Sequence, residues 1–552
     1  MMHKTLEPFQ PFEQWEWQIP EFFNIGAACA DSQLNTNLAD SLAMIVEDDT
    51  HGTDTITFTA LSHQTNQFAQ LLRNLNLSKG DRVLVRLPNS LAYPIAFLGT
   101  MKMGAIAVPT STLLTAEEVA YLAKDSGASV LVTDATAWNS MSAQIKQNLQ
   151  DTPNLKHIFV TEVDAIEADD TLNVLSLEAA LETVTDVEPV AKTLADDPAY
   201  LVYTSGTTGY PKGVLHAHRA LLGRQPAAKY WFNYATDSQD RIMHSGKFNW
   251  TYVLGSGLMD PLYLGKTVIV HEGKNDAQKW LDLIQKHAAT IFIGVPTIYR
   301  QILQKTTAAK QDLPSIRHFM SAGEHLSDEV LNQWEARFEL DIYEAVGMSE
   351  FSYYLSQSVY RPIRAGSAGF AQPGHAIKLL DPETLTEVPI GEEGMISIPL
   401  SDPGVFLRYW NLDTETEKYK HDGYFFTGDY AKYDADGYIW FLGRKDDIIK
   451  SFGYRVSPYE IERVYKGHPD VADCAAIGEE LEKDKVLVAC YAILKPNATI
   501  TPNDLIAFGK AHLAAYKVPK VVYFANDFPR TKNGKILRKD ITPTIATAKS
   551  SR

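Results

Sequence analysis

The sequence has few of the features that mark secreted, membrane-spanning or nucleic-acid-binding proteins. Its three cysteines, Cys29, Cys474 and Cys490, are scattered and form no Cys-x-x-Cys pair. We therefore expect buried thiols in a reducing compartment rather than disulfides or a zinc site. No apolar run approaches the roughly 20 residues that cross a bilayer, and residues 1–25 contain no signal-peptide core. The net charge of −17 disfavours general nucleic-acid binding. We expect a cytoplasmic protein without nucleic-acid partners or membrane insertion.

Strands and helices alternate through the first part of the chain, which at 552 residues needs two or more domains. Apolar spacing predicts helices at residues 61–75, 90–103 and 116–126. It predicts strands at residues 82–87, 105–109, 129–133, 156–161, 266–270 and 290–294. The acidic stretch 164–197 is predicted to be a loop. This alternation indicates βαβ units around parallel sheet.

The pattern changes near residue 443 to that of a small α+β domain. Helices are predicted at residues 460–464 and 503–513, and strands at 471–478, 485–494 and 520–524. About a hundred residues suffice for an independent domain. We therefore predict one domain over residues 1–443, a second over 447–552, and a hinge at about 444–446.

A segment rich in glycine and hydroxyl residues follows a predicted strand at 199–202. It reads YTSGTTGYPKG over residues 203–213. Its glycines let backbone N–H groups turn toward one anion, while the hydroxyls and Lys212 suit a polyphosphate. It is not a Walker A loop, because no glycine directly precedes Lys212. Alone, the segment fits a surface turn equally well.

Four further motifs follow in order. They are SAGEHL at 321–326, YEAVGMSE at 343–350, YFFTGD at 424–429 and PRTKNGKILR at 529–538. With the first segment, this series resembles the adenylate-forming superfamily of acyl-CoA synthetases, luciferases and peptide-synthetase adenylation domains, over nearly the whole chain. The resemblance implies an α/β fold, with a large N-terminal domain of βαβ-type sheets flanked by helices and a small, mobile α+β C-terminal domain.

The resemblance also implies a role for each motif residue. The ATP phosphates would be held by Thr204, Ser205, Gly206, Thr207, Thr208, Gly209 and Lys212. The rest of the nucleotide would contact Gly323, Glu324, His325, Val346, Gly347, Met348 and Ser349. Glu350 would hold Mg²⁺, and Asp429 and Arg444 would bind the ribose. Lys535 would serve adenylation. Lys450, Gly453 and Tyr454 would face coenzyme A, and Asp446 would be the hinge.

Two positions depart from the family pattern. Val346 stands where many members have an aromatic ring against adenine, so that face is expected to be aliphatic. Ser349 stands where threonine is common, and it keeps the hydroxyl. Neither departure removes a charge from the expected chemistry.

The resemblance implies a two-step reaction that uses ATP, Mg²⁺ and coenzyme A. A carboxylate attacks the α-phosphorus to form an acyl-adenylate and pyrophosphate, and a thiol then forms the thioester and releases AMP. The chain ends soon after Lys535 without a carrier domain, which favours free coenzyme A. Alternatives are a stand-alone enzyme that loads a carrier protein, a luciferase-like oxidase and a non-catalytic relative. A homodimer is compatible with the resemblance.

Residues 244–265 resemble the segment that forms the acyl pocket. Trp250 matches a tryptophan of the acetyl and medium-chain ligases, whereas Lys247 and Tyr252 match positions of the benzoate ligases. A tryptophan at the pocket floor would exclude long chains. The expected substrate is therefore a short- or medium-chain carboxylic acid, with benzoate or another aryl acid as the alternative. Trp250 could instead be an ordinary core residue.

Overall fold

Two large, mostly parallel sheets form the body of the protein in the computed structural model. The structure describes residues 15–147, 152, 154–163, 172–204, 211–235, 239–323, 326–445, 447–451, 454–482, 485–530 and 536–549. The first sheet has eight strands, in the spatial order Arg408–Tyr409, Lys212–Ala217, Pro198–Thr204, Ile106–Pro109, Arg82–Arg86, Val130–Asp134, His157–Thr161 and Asn173–Ser176. The strand Lys212–Ala217 runs antiparallel to both neighbours, and the remaining pairs are parallel.

The second sheet has nine strands. Their order is Phe370–Ala371, Ser352–Ser356, Ile342–Met348, His318–Ala322, Ile291–Gly294, Arg241–His244, Thr267–Glu272, Leu42–Asp48 and Gly52–Thr57. The central strands are parallel, and antiparallel pairs close both edges. The expected βαβ organisation of the large domain is confirmed.

Helices cover the sheets on both faces. Those of the large domain are Ile25–Ala30, Phe58–Asn74, Ala92–Lys102, Ala116–Ser126, Ala135–Gln147, Leu177–Glu182, Pro226–Tyr230, Thr251–Leu254, Asp260–Tyr263, Ala277–His287, Pro296–Lys305, Asp328–Phe338 and Asp413–Glu417. A π-helical turn, Gly255–Met259, joins two of them, and 3₁₀ turns occur at His218–Arg224 and Lys310–Asp312. Among the helices described, none is both long enough and apolar enough to span a membrane.

One apolar cluster links the two large sheets. It contains Val83 and Val85 of the first sheet, Val268 and Val270 of the second, and most of the helix Ala92–Lys102. This helix is buried nearly all round, so it has no polar face. A second cluster covers the opposite face of the first sheet. Alternate strand residues therefore enter different cores, as expected for a sheet covered on both sides.

A third, antiparallel sheet leads to the small C-terminal domain. Its strands are Lys378–Leu380, Gly394–Pro399, Tyr424–Tyr433, Lys420–His421 and Ile439–Arg444. The C-terminal part has the hairpin Ile449–Ser451 and Tyr454–Val456, and a sheet of Val471–Glu482, Lys485–Leu494, Val521–Ala525 and Ala546–Lys549. Its helices are Pro458–Lys466 and Pro502–His512, with 3₁₀ turns at Arg538–Asp540 and Pro543–Ile545. The predicted α+β character is confirmed.

The prediction of a loop over residues 164–197 was wrong in part. Within that stretch the structure has the strand Asn173–Ser176 and the helix Leu177–Glu182. The strand pairs with His157–Thr161 at the sheet edge. Ser176 caps the helix by accepting a hydrogen bond from Ala179 N–H. Both elements are too short to show an apolar period, so the acidic composition dominated the prediction.

Candidate active site

A cavity of about 1830 Å³ lies where strands of the two large sheets end and the third sheet begins. Its wall includes the predicted site residues Thr204, Trp250, Tyr252, Gly323, Val346, Gly347, Met348, Ser349, Glu350, Asp429 and Arg444. These residues come from distant parts of the sequence and from all three sheets. The C-terminal part also contributes Tyr459, Glu460, Arg463 and Leu537 to the wall.

Several predicted residues lie outside the described part of the chain. They are Ser205, Gly206, Thr207, Thr208, Gly209, Glu324, His325, Asp446, Gly453 and Lys535. Lys450 and Tyr454 belong to the paired strands Ile449–Ser451 and Tyr454–Val456. Their predicted roles, and the hinge, remain predictions.

Residues 203–213, expected to bind phosphate, are called the phosphate segment below. Lys212 lies near its end and begins the strand Lys212–Ala217. It pairs in register with Thr204, the last residue of the incoming strand, so the two ends of the segment are held side by side. The Lys212 ammonium donates a hydrogen bond to Glu415 Oε1, and this ion pair is partly buried. Sequence reasoning missed Glu415, because 203 residues separate it from Lys212.

Glu350 follows the strand Ile342–Met348 and faces the cavity. The Tyr409 hydroxyl donates a hydrogen bond to Glu350 Oε1 at 2.7 Å. The Glu350 carbonyl accepts one from Phe406 N–H at 2.9 Å. Burial, together with the Glu350 carboxylate, raises the pKa of Tyr409 far above its usual range. The tyrosine therefore stays a neutral donor that orients the carboxylate.

This carboxylate is a suitable Mg²⁺ ligand when substrate supplies the other oxygens. Among the residues described, no group of three or more His, Cys, Asp or Glu side chains forms a metal cage. One protein carboxylate beside phosphate oxygens and water is a usual arrangement for Mg²⁺. The donor set at Glu350 therefore fits a metal that arrives with a nucleotide.

Asp429 and Arg444 face each other on paired strands of the third sheet. The Arg444 Nε lies 3.5 Å from Asp429 Oδ1. The Asp429 side chain is nearly buried at 10% exposure, whereas that of Arg444 is 45% exposed. Thr427 Oγ1 accepts a hydrogen bond from Asp429 N–H at 3.1 Å, within the strand Tyr424–Tyr433. The pair presents an acceptor and a donor to the same side of the cavity.

His216 forms a hydrogen bond with the segment 346–349, which lines the cavity. It is buried, stacks on Tyr200 with 4.7 Å between ring centroids, and its Nε2 lies 2.7 Å from the Ser349 carbonyl oxygen. Burial lowers the pKa of His216 to about 3, so the ring is neutral and donates from Nε2. His216 carries no motif signal, and sequence reasoning missed it.

Trp250 lines the cavity and lies against Gly323. A Cβ at Gly323 would come within 2.8 Å of the Trp250 ring, and φ at this glycine is +93°. Both the contact and the backbone therefore favour glycine there. Tyr252 packs edge-on against Trp250, with 5.2 Å between centroids. The Tyr252 hydroxyl is buried and has no hydrogen-bond partner among the described residues.

The side chain of Lys247 lies outside the cavity wall, unlike those of Trp250 and Tyr252. Its ammonium forms an ion pair with Glu272 Oε1 at 2.6 Å, and its side chain is 40% exposed. Lys247 does not belong to the cavity wall as described. Of the sequence features shared with benzoate ligases, Tyr252 lines the cavity and Lys247 does not.

Ion pairs join the C-terminal part to the rest of the site. Glu460 lies between Lys432, at 3.0 Å, and Lys517, at 2.6 Å. Arg463 pairs with Asp328 at 2.9 Å. Lys432, Glu460 and Arg463 also line the cavity.

The fold is that of the adenylate-forming enzymes. The pattern of the AMP-binding enzyme family matches residues 33–410, and that of the AMP-binding enzyme C-terminal domain matches residues 460–535. The first match covers more than half of the sequence, so the chain belongs to the AMP-binding enzyme family.

Individual relatives place the chain among the coenzyme A ligases. It is 32% identical over 490 residues to the 3-hydroxybenzoate–CoA/4-hydroxybenzoate–CoA ligase of Thauera aromatica, covering 87% of this chain and 90% of the relative. It is 27% identical over 544 residues to the mitochondrial acyl-coenzyme A synthetase ACSM3 of Mus musculus, covering 96% and 92%. The crystal structure of the anthranilate CoA ligase AuaEII with anthranoyl-AMP superposes with a TM-score of 0.82, at 29% identity, covering 94% and 96%.

The chain is thus an AMP-forming acid–thiol ligase that uses ATP, Mg²⁺ and coenzyme A. It activates a carboxylate as an acyl-adenylate with release of pyrophosphate, and it then forms the coenzyme A thioester with release of AMP. The predicted family, reaction and cosubstrates are confirmed.

Proposed function

We propose that the acid is a small aryl carboxylate that enters the end of the cavity bounded by Trp250, Tyr252 and Gly323. The contact between Trp250 and Gly323 carries this proposal, because it holds the indole, packed on Tyr252, in the cavity wall as an aromatic surface. A flat ring buries its faces against such walls more completely than a flexible chain does. Relatives that act on hydroxybenzoate and anthranilate support the choice.

The unpaired Tyr252 hydroxyl favours a polar substituent on the ring of the acid. Burial raises the pKa of this hydroxyl well above its usual value, so it stays protonated. A buried hydroxyl without a partner is costly. Because this oxygen has almost no accessible surface, a hydroxyl or amino group on the bound acid would become the missing partner after a shift of the Tyr252 side chain.

Short- and medium-chain aliphatic acids are the second candidate. The half-buried Trp250 ring at the end of the cavity limits chain length whichever class binds. The order of preference therefore differs from the sequence expectation, which placed aliphatic acids first.

The remaining roles are those that the resemblance to the family implies. Thr204, which lines the cavity, and Lys212 would bind the ATP phosphates with the rest of the segment 203–213. Asp429 with Arg444 would bind the ribose hydroxyls. Glu350, oriented by Tyr409, would hold the Mg²⁺ that neutralises phosphate charge. Lys535 would stabilise the charge that develops during adenylation.

The second half-reaction would use the other face of the C-terminal domain. Lys450, Gly453 and Tyr454 would then line the route of coenzyme A, after a rotation at Asp446. The ion pair between Lys432 and Glu460 would break in that rotation.

We also propose the domain limits given above, a cytoplasmic location and a homodimer. Cell fractionation tests the location, and size-exclusion chromatography tests the homodimer.

An acid panel tests the substrate proposal. Pyrophosphate release and coenzyme A-dependent AMP release are measured with benzoate, 3- and 4-hydroxybenzoate, 2-aminobenzoate and the straight-chain acids from two to eight carbons. The expected result is a higher kcat/KM for an aryl acid than for any aliphatic acid. The reverse order would refute the aryl assignment and leave the ligase reaction intact.

Tyr252→Phe is the matched variant, because it removes the hydroxyl and keeps the ring. If that hydroxyl bonds the ring substituent, kcat/KM for the hydroxylated acid should fall about tenfold, while that for benzoate changes little. Equal changes for both acids would mean that Tyr252 does not bond the substituent.

A further inference from the structure

Lys212 has a resident carboxylate partner although it belongs to the phosphate segment. Glu415 Oε1 accepts a hydrogen bond from the Lys212 ammonium, with side-chain exposures of 20% and 18%. The second carboxylate oxygen accepts one from Lys418 at 2.9 Å. These two lysines hold the pKa of Glu415 below its usual value. The carboxylate is therefore ionised at neutral pH.

The fold holds Glu415 in this position. The strand Arg408–Tyr409 pairs with residues 214–215, which begin two positions after Lys212. Trp410 N–H donates to the Gly213 carbonyl at 2.8 Å. The helix Asp413–Glu417 follows at once and carries Glu415. The partners are thus fixed by backbone pairing and not by two flexible side chains alone.

The same short stretch also contacts Glu350. The Tyr409 ring centroid lies 5.7 Å from the Lys212 ammonium, and its hydroxyl bonds Glu350. Glu415 therefore belongs to a connected set of charges around the expected position of the phosphates. A carboxylate there attracts the lysine ammonium and repels phosphate oxygens, because the carboxylate and the phosphate are both negatively charged. The two anions therefore compete for one ammonium group.

We propose that Glu415 is a positioning residue that competes with phosphates for Lys212 and so weakens the binding of ATP and pyrophosphate. The inference rests on the proposed role of Lys212 in phosphate binding. In the empty site Glu415 holds the ammonium, and when ATP binds, the lysine turns to the phosphates. After adenylation Glu415 takes the lysine back, which promotes the departure of pyrophosphate.

Equilibrium binding tests the proposal. The dissociation constants of α,β-methylene-ATP and of pyrophosphate, each with Mg²⁺, are measured by calorimetry on the full-length enzyme. Glu415→Gln should bind both ligands about three- to tenfold more tightly than the wild type. Glu417→Gln is the matched control, since Glu417 is exposed on the same helix and the charge change is identical. Its constants should stay within about twofold of the wild type.

A double-mutant cycle shows whether the effect passes through Lys212. In a Lys212→Met background, Glu415→Gln should change the two constants much less than in the wild type. Thermal unfolding of every variant verifies that the fold persists.

Two results would overturn the proposal while the wild type binds ATP. One is unchanged or weaker binding by Glu415→Gln. The other is a gain of equal size in the Lys212→Met background, which would indicate a general charge effect. If the wild type bound neither ligand, the phosphate role of this site would fail, and the inference with it.

Discussion

Replacing Trp250 with glycine should extend the range of acids that the enzyme accepts. The indole lines the cavity and lies against Gly323 and Tyr252, so its removal adds the volume of the ring to the pocket. Each methylene buried in that space contributes about 0.8 kcal/mol. This corresponds to about a fourfold gain in kcat/KM for each added methylene, until the space is filled.

The same change should lower kcat/KM for the native acid. The smaller residue leaves a void beside a short substrate, and the void costs packing energy. Trp250 precedes the helix Thr251–Leu254 as its N-cap, a position that tolerates glycine. Because the ring is half-buried, we expect a loss of about 2–4 kcal/mol in the free energy of unfolding.

The assay is kcat/KM over two homologous series, straight-chain acids and 4-alkylbenzoates, with thermal unfolding alongside. Trp440→Gly is the control, because Trp440 is half-buried and lines another part of the same cavity. It should lose stability without changing the preferred length. If Trp250→Gly loses stability and keeps the wild-type length profile, Trp250 is a core residue and acid size is set elsewhere.

Two further predictions concern catalysis and pH. Lys535→Ala should lose pyrophosphate release by orders of magnitude and still convert supplied acyl-adenylate to thioester; equal loss of both half-reactions would contradict this. Burial lowers the pKa of His216, His218 and His244 to about 3, while the unfolded chain titrates near 6.5. The unfolded state thus binds more protons below pH 6.5, and stability present above that pH is lost as pH falls toward 3. Each histidine should lower the free energy of unfolding by about 1.4 kcal/mol at pH 5.5. Urea unfolding at pH 7.5 and 5.5 measures the loss, and equal values would refute it. His218→Asn can still accept the Ile25 N–H and should remove about a third of the loss.

Local signals in the sequence were enough to predict many elements. The helix predicted at 116–126 is Ala116–Ser126 in the structure, with a capping box between Thr115 and Glu118 and a left-handed Gly127 at its end. These signals lie within the helix and its flanks, so no distant contact is needed to recognise them. The strand at the edge of the first sheet, Asn173–Ser176, forms by pairing with a neighbour, and its own residues carry no comparable signal.

The sequence by itself determined the order of the motifs. That order was enough to predict the family and the residues expected to bind ATP. Only the tertiary structure decided what those residues contact. It placed Glu415 on Lys212, Tyr409 on Glu350 and Trp250 against Gly323. Those partners lie on different strands and helices, separated by tens to hundreds of residues. Their contacts depend on sheet order and register, which arise from the packing of the whole chain and leave no periodic trace around any one residue.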